Sequence, residues 1–505
     1  MRLTLPTEVL NLVHLIKDAA SPAGGLYLVG GAVRDALLGR KSHDLDFVMA
    51  EDPTEIARRV ARRLGVGFFV LDDSRHTARV MYRNSDGELS PIDFVQFTGE
   101  TLDADLGNRD FTINAIALSV DDLNTIIDPL GGRSDLESRL LRPCSDHALK
   151  DDPVRVLRAI RLSHQLGFFY APELPEMMQT AAVNLSQSSA ERHRDEFFKI
   201  LSGAKLKESM ADCYRFGVFV TLIPQLSDQE NIPASEPHVL PLLDHTFQVV
   251  ENLDKIIRRF SPKADIKSAK ADWLLEVLFA EMQSFSDVLW HYFGAEITPG
   301  RSIHCLALLS ALMHDIGKPS MMKHGQEGRL VFEGHEDVGA EIAWETARRM
   351  QLSNAETAWI QTVVRHHMAL IPLTRAQNPP DRRSVFRYFQ KTGEAGIAIA
   401  FLALADKAAT YMGHLTVEQW QAQLTVSKIL LSAWWEEREA IIYPTPLLNG
   451  NELQRDFGLE PGAFIGQLLD ELIEEQASGK ILTKEDARAF VGGRLPDLRV
   501  NDETD

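Results

Sequence analysis

The sequence predicts an α+β fold: a head with a small sheet, followed by an all-helical remainder. Three observations carry this reading. Up to about residue 145, short β-branched or aromatic runs ("LYLVGG", "LDFVM", "PIDFVQF", "TIIDPLGG") alternate with helical stretches, and afterwards helices dominate. With 505 residues, 45% of them hydrophobic, the chain can bury several cores and divide into about three or four domains. Two breaks rich in Pro and polar residues, "IPQLSDQENIPASEPHVLP" near 223–241 and "YPTPLLNG", read as a linker and as the start of a last helical segment. The expected domains are a head at 1–145, a neck at 146–225, a third domain at 240–440 and a tail at 441–505.

The head opens on "GGAVRDALLGRKSHDLDFVM", residues 30–49. Gly30 and Gly31 precede a helix expected to begin near Ala32, so their amides and the helix N-terminus can cradle a triphosphate, with Arg34 as a fixed charge. Leu45, Phe47, Val48 and Met49 read as a buried strand whose alternation points Asp44 and Asp46 the same way. Two such charges repel unless a divalent cation lies between them. Asp93, in the strand-like "SPIDFVQF", is expected to meet them across the sheet. Three carboxylates around one or two Mg²⁺ ions can activate a hydroxyl for in-line attack on a nucleotide α-phosphate.

Composition excludes several classes. A net charge of −19 argues against a protein coated in nucleic acid, although arginines at 58, 59, 62 and 63, and the series Arg155, Arg158 and Arg161, place cations on helix faces. Cys144, Cys213 and Cys305 form no paired framework and no metal-ligand spacing, as in a reducing compartment. The opening residues lack a secretory pattern and the longest apolar run, "AGIAIAFLALAD", is too short to span a membrane. A cytoplasmic protein without membrane partners is expected, of unassigned oligomeric state.

"GNRDFTINAIAL", "DPLGGRSDLESRLLRP" and "DDPVRVLRAIRLSHQLGF" then follow in order, and the set resembles the class II family of CCA-adding tRNA nucleotidyltransferases and bacterial poly(A) polymerases. The resemblance implies a polymerase-β-like head, tRNA as partner, and CTP and ATP as substrates. It places Mg²⁺ on Asp44 and Asp46, with Asp93 as the third carboxylate. Ribose and phosphate contacts fall on Arg109, Asp110, Phe111 and Thr112, with Asn108 where the family has Arg. The base-selecting element falls on Asp151, Asp152 and Arg155, Asp151 replacing a Glu, and Arg158 and Arg161 extend the nucleotide-binding set. Three apart on an expected helix, Asp152 and Arg155 face the same way. A carboxylate accepting from an exocyclic amine, beside a guanidinium donating to the ring, suits cytosine and adenine and rejects uracil and guanine.

"SAERHRDEFFKIL" resembles the family's neck motif, which makes Glu191, Arg192 and Glu196 helix-stabilising or template-positioning residues; charges at these spacings favour the helix role. Full CCA-adding members carry a flexible loop before the "RDFT" motif, whereas here only "FVQFTGETLDADLG" intervenes. Complete CCA addition is the first expectation by family frequency. A CC-adding enzyme follows from the short connection, and a poly(A) polymerase is the further alternative.

Farther on come "LLDHTFQVVENL" with His245, "ALLSALMHDIGKPSMM" with His314 and Asp315, "FEGHEDVGAEIA" with His335, "VVRHHMAL" with His366 and His367, and "ALADKAAT" with Asp406. Imidazoles and carboxylates set in apolar helices are good ligands for a divalent transition metal. The order resembles the HD phosphohydrolase family, whose ligands map to His245, His314, Asp315 and Asp406. His335 and one of His366 or His367 are expected to complete a second site or orient phosphate, with Lys318 nearby. A phosphatase or cyclic phosphodiesterase acting on tRNA 3′ ends is the expected accessory activity. A rival class makes this the only working centre, with the head a non-catalytic RNA-binding module. In the tail, Gly450, Gly458 and Gly462 are read as helix stops or turns, and Ile465-Gly466 as a close backbone approach, in a segment expected to pack rather than bind RNA. The acidic end "NDETD" is expected to be disordered.

Overall fold

The computed structural model describes residues 5–20, 25–42, 44–72, 76–84, 87, 89–263, 272–326 and 329–501, with side chains of the last helix as far as 495. The acidic end beyond Asn501 lies outside them. The chain divides into two compact units, Met1–Thr221 and Leu222–Asp505.

In the first unit, α1 (Thr7–Ala20) leads into β1 (Tyr27–Val29), α2 (Gly31–Leu37), β2 (Leu45–Met49) and α3 (Thr54–Leu64). Then come β3 (Phe68–Asp72), β4 (Thr77–Arg83), β5 (Leu89–Gln96), α4 (Leu102–Gly107), β6 (Ala117–Ser119) and β7 (Ile126–Ile127). The strands form one sheet in the order β3-β4-β5-β2-β1-β6-β7, with β2 and β5 parallel and the other neighbours antiparallel. Its two faces differ because side chains alternate. One face buries Leu45, Phe47, Ala78, Val80, Ile92 and Phe94, with the Phe47 and Phe94 rings stacked at 5.4 Å. α3 supplies apolar cover through Ile56, Ala57, Val60 and Ala61, and ends where Gly65 takes the left-handed conformation (φ 69°). Each large side chain buried this way contributes about 1.5–3 kcal/mol. The other face carries Asp46, Asp93 and Arg79. A cluster of Val29, Val48, Leu106, Ala115 and Ala117 packs at its β1–β6 side.

Beyond the sheet lie α5 (Gly132–Ser138), the single turn α6 (Ala148–Asp151), α7 (Arg155–Leu166), α8 (Leu174–Ala182), α9 (Ala190–Leu201) and α10 (Leu206–Arg215). This is the expected sheet-bearing head followed by helices. Ion pairs stitch the helical part: Arg161 Nε lies 2.7 Å from Glu196 Oε2, and His164 Nε2 lies 2.8 Å from Asp212 Oδ2.

The second unit is helical. Helix Ile303–Met313 is buried at every position but His304, and so is most of Ala395–Thr410, the "AGIAIAFLALAD" run. Both pack with helices Leu242–Arg258 and Asn354–His366. Among the described residues no helix is long and apolar enough to cross a membrane. The stretch expected to be a loose linker is packed: Pro224–Gln229 is a 3-10 helix, Thr246 Oγ1 donates to buried Gln229 Oε1 at 3.0 Å, and Ile232 is buried. In the last segment Leu448, Leu453, Ile465, Leu468, Leu472, Ile481, Ala487 and Val491 form a local core. Gly450 begins a helix capped by Asn449 rather than ending one, while Gly458 is the left-handed stop expected (φ 64°). Among the described residues nothing lies within 4 Å of where a Cβ on Gly462 or Gly466 would stand, so the expected close approach does not occur there.

Candidate functional site

Asp46 and Asp93 are register partners on the parallel strands β2 and β5, so their carboxylates stand side by side on one face. Burial, then the neighbouring Asp93 charge, pushes the Asp46 carboxyl above its ordinary 3.8. The nearby Arg109 and Arg158 charges offset this only in part, so the pair fits a cation. Asp44, just before β2, is exposed and adds to the same negative field. Gly30 closes the site from below: its φ is +74°, and a Cβ there would lie 3.3 Å from Asp46 Oδ2 and 3.4 Å from Arg109 Nη1. Arg109 thus borders Asp46, and Asp105 Oδ2 aims it by accepting from Nε and Nη2, both at 3.2 Å. Sequence reasoning missed Arg79, whose Nε and Nη2 donate to the two oxygens of Asp93 at 2.7 Å each. Its signal lay in the hairpin register, which sets Arg79 opposite Asp93.

Several expected nucleotide contacts are internal to the protein. Arg34 is buried, donating to Asp35 and to Asn114 Oδ1 at 2.7 Å, so it is no free charge for a triphosphate. Gly31 opens α2 beside it. Asp110 is buried, accepting from Phe111 N and Asn114 Nδ2, with Arg158 Nε at 2.7 Å. Burial would raise its carboxyl, yet Arg158 and Asn114 hold it below the ordinary value. Phe111 is fully buried and Thr112 Oγ1 donates to Asp135 Oδ2 at 2.7 Å, which leaves Arg109 as the member of that motif beside Asp46. Arg161 is taken by Glu196.

The expected helix through Asp152 and Arg155 is broken. Asp152 is the extended cap of α6 (φ −142°, ψ 92°), and Pro153 separates it from Arg155, the first residue of α7. Arg155 Nη1 and Nη2 donate to the carbonyls of Arg109 (3.0 Å) and Asn108 (2.8 Å), and its Nε lies 3.7 Å from Asp152 Oδ2. Arg192 instead donates to Asp152 Oδ2 at 2.6 Å, while Asp152 Oδ1 is buried with no hydrogen-bond partner. A buried acceptor left unpaired in this way still needs a donor. Asp151 is exposed and near His147 at 3.6 Å.

In the second unit the histidines and aspartates converge. Two groups, His245, His314 and Asp315, and Asp315, His335 and His367, each hold potential ligand atoms within 4.8 Å of one another; all five residues are buried. Asp315 is shared: His314 Nε2 lies 3.2 Å from Oδ2 and His335 Nε2 lies 3.3 Å from Oδ1. Asp406 Oδ1 lies 3.1 Å from His245 Nε2. The Nδ1 atoms of His314, His335 and His367 sit 2.7–2.8 Å from the carbonyls of Ala311, Phe332 and Val364, which fixes the tautomer and turns each Nε2 lone pair inward. His335 Nε2 and His367 Nε2 are only 3.2 Å apart, and among the described residues the buried His245 Nε2 and His314 Nε2 make no well-directed hydrogen bond. Such orphaned donor atoms fit a metal. Burial would raise Asp315, but His314 and Lys318, whose Nζ lies 2.6 Å away, hold it far down. Burial drives His367 down to about 3, so it stays neutral. Of the two adjacent histidines, His367 joins the centre; His366 is half-buried and stays outside both groups. Sequence reasoning missed His238, whose ring meets His245 edge-on at 4.6 Å; its position in a Pro-rich stretch gave no sign of this. The same packing brings Gly317 so near Gly339 N that a Cβ would lie 2.7 Å from it.

Family models match at residues 26–142 (Poly A polymerase head domain), 167–230 (Probable RNA and SrmB- binding site of polymerase A) and 297–409 (HD domain). An A-adding tRNA nucleotidyltransferase of Deinococcus radiodurans is 31% identical over 474 residues, covering 92% of this chain and 95% of the relative. A CC-adding tRNA nucleotidyltransferase of Thermus thermophilus is 29% identical, over 92% of this chain and 94% of the relative. The fold is also that of a CCA-adding enzyme solved with CTP, at TM-score 0.62 and 23% identity over 97% of this chain and 96% of that one. Likeness on this scale, running through the strands that set Asp46 beside Asp93, shows that the chain belongs to the tRNA nucleotidyltransferase family.

Proposed function

We propose that the protein is a metal-dependent nucleotidyltransferase that extends tRNA 3′ ends from CTP and ATP without a nucleic-acid template, and that its second unit is a phosphohydrolase. The observation that carries the transferase reading is the register pairing of Asp46 with Asp93, two carboxylates held side by side with the Asp46 carboxyl raised above its ordinary value. Asp46, Asp93 and Asp44 would hold Mg²⁺, which when bound supplies the positive charge that favours ionisation of the attacking 3′-hydroxyl. Arg79 holds Asp93 in place. Arg109, aimed by Asp105, presents a guanidinium to the triphosphate next to Asp46. Gly30 leaves the space a side chain would fill. Asp152 Oδ1, buried and unpartnered, accepts from the exocyclic amine that cytosine and adenine present; uracil and guanine offer a carbonyl there. Arg192 steadies the other oxygen. The test is incubation of the protein with tRNA lacking its CCA end and each nucleoside triphosphate in turn. CTP and ATP are expected to be incorporated, and incorporation of UTP or GTP at a comparable rate contradicts the reading.

A second reading, partial addition, has its own support. The segment before the Arg109 motif is compact: Thr101 Oγ1 caps α4, and Asp105 Oδ1 accepts from Thr98 N at 2.9 Å. The relatives matched over most of this chain that are described above bear A-adding and CC-adding names. Growth of the tRNA by three nucleotides with CTP and ATP together supports complete CCA addition. Arrest after two cytidines, or growth only on tRNA already ending in CC, supports the partial reading.

In the second unit His245, His314, Asp315 and Asp406, with His335 and His367, would hold divalent transition metal, which supplies Lewis acidity toward a phosphate ester. The chain's own groups fix the imidazole tautomers and set Lys318 beside Asp315. Hydrolysis of a 2′,3′-cyclic nucleotide with Mn²⁺, Ni²⁺ or Co²⁺ tests it, and turnover unchanged in His314→Ala contradicts it.

A further inference from the structure

The register of the head sheet lines up four side chains across four strands. Asp46 on β2 pairs with Asp93 on β5, Asp93 with Arg79 on β4, and Arg79 with Phe69 on the edge strand β3. Directly paired residues share a face, so Phe69 stands on the same face as the carboxylates. Three strand spacings of about 4.8 Å put it about 14 Å from Asp46. Its neighbour Phe68 points the other way, toward α3, where the Arg58 guanidinium lies 5.3 Å from its ring centroid. Among the described residues Phe69 has no such cover, and it is 56% exposed. Between Phe69 and the carboxylates the face stays half-open, at Thr77, Arg79, Met81 and Asp93.

Resting on the transferase reading above, we infer that Phe69 is a positioning residue for the RNA substrate: its ring stacks on a base of the unpaired 3′ end, upstream of the reacting nucleotide. The reaction requires the 3′-hydroxyl at Asp46 and Asp93, and the half-open part of this face continues from there, past the Arg79 cation, to Phe69. At roughly 3.4 Å per stacked nucleotide the distance corresponds to a base about four positions back, and fewer when the strand is extended. An aromatic ring beside a cation is the usual platform for single-stranded nucleic acid, because every base offers a π-face.

The test uses the full-length protein and a tRNA ending in CC that carries 2-aminopurine at the unpaired nucleotide next to the acceptor stem, two positions upstream of the terminal 3′-hydroxyl. Wild-type protein is expected to quench the probe on binding. Phe69→Ala is expected to lose most of the quench and to raise the KM for this tRNA about tenfold, with the KM for the incoming nucleoside triphosphate moving less than twofold. Phe69→Trp is expected to restore both, which separates stacking from a fold defect. Wild-type quench and KM in Phe69→Ala overturn the inference, as does a loss that Phe69→Trp fails to restore. A dimer in sedimentation that Phe69→Ala dissociates, with unchanged KM for tRNA, also overturns it in favour of a second copy on this edge. Should the wild type transfer no nucleotide, the transferase reading fails, while the quench, which needs no turnover, still reports on Phe69 alone.

Discussion

Asp110 ties together a chain of buried polar groups in the head, from Arg34 through Asn114 to Arg158. Its carboxyl is held below the ordinary 3.8, against burial, by Arg158 and Asn114. A carboxylate depressed on folding stabilises the protein above its unfolded value and loses that contribution as pH falls through its folded value. Asp110→Asn is therefore expected to cost about 2 kcal/mol at pH 7, with the difference shrinking below about pH 4, as read from the head's unfolding transition in urea. An equal cost at both pH values contradicts this. At Gly30 the positive φ and the nearby Asp46 Oδ2 act together. Gly30→Ala is expected to cost about 1–2 kcal/mol of strain and to raise the KM for CTP, measured by unfolding and by initial rates. The strands that carry Asp46 and Asp93 were legible in the sequence because strand alternation is local. Arg79 and His238 were not, since each finds its partner only once register or a loop's path is fixed.

Elements were legible where their period was strong and misread where a tertiary contact or one residue overrode composition. α3 follows from apolar positions at three and four spacings, and the apolar run at 395–410 is a core helix. The break between α6 and α7 was written in "DDPVR", because a residue before Pro is pushed out of the helical region, yet the spacing of Asp152 and Arg155 suggested one continuous helix. The stretch before His245 looked loose from its Pro and Ser content, but Gln229, Ile232 and His238 find partners across the second unit. Helix packing around the histidines also sets a prediction. A Cβ on Gly317 would collide with the backbone of His335 and Gly339, so Gly317→Ala is expected to destabilise the second unit by about 1–3 kcal/mol and to weaken its metal binding. Calorimetric titration with Mn²⁺ and thermal unfolding check it; unchanged values contradict it.

The molecule consists of two units, each with its own candidate centre and each defined by residues of that unit alone. Their activities are expected to separate by mutation: His314→Ala removes cyclic-nucleotide hydrolysis and leaves nucleotide transfer, whereas Asp46→Asn does the reverse. A net charge of −19 confines RNA recognition to local surfaces, so tRNA binding is expected to weaken steeply with salt, by about tenfold or more between 50 and 200 mM, in filter-binding assays. The family and the head's division from the helical remainder were legible from motif order, while the choice between whole and partial CCA addition was not, because neither motif order nor the length of the segment before Arg109 counts the nucleotides added. The most direct measurement is single-turnover transfer of labelled CMP from CTP to tRNA lacking its CCA end, with Mg²⁺, for wild type, Asp46→Asn and Asp93→Asn. Transfer by the wild type with a loss of about a thousandfold or more in both variants is the predicted result. Transfer that persists in Asp46→Asn, or that the wild type lacks altogether, contradicts the account.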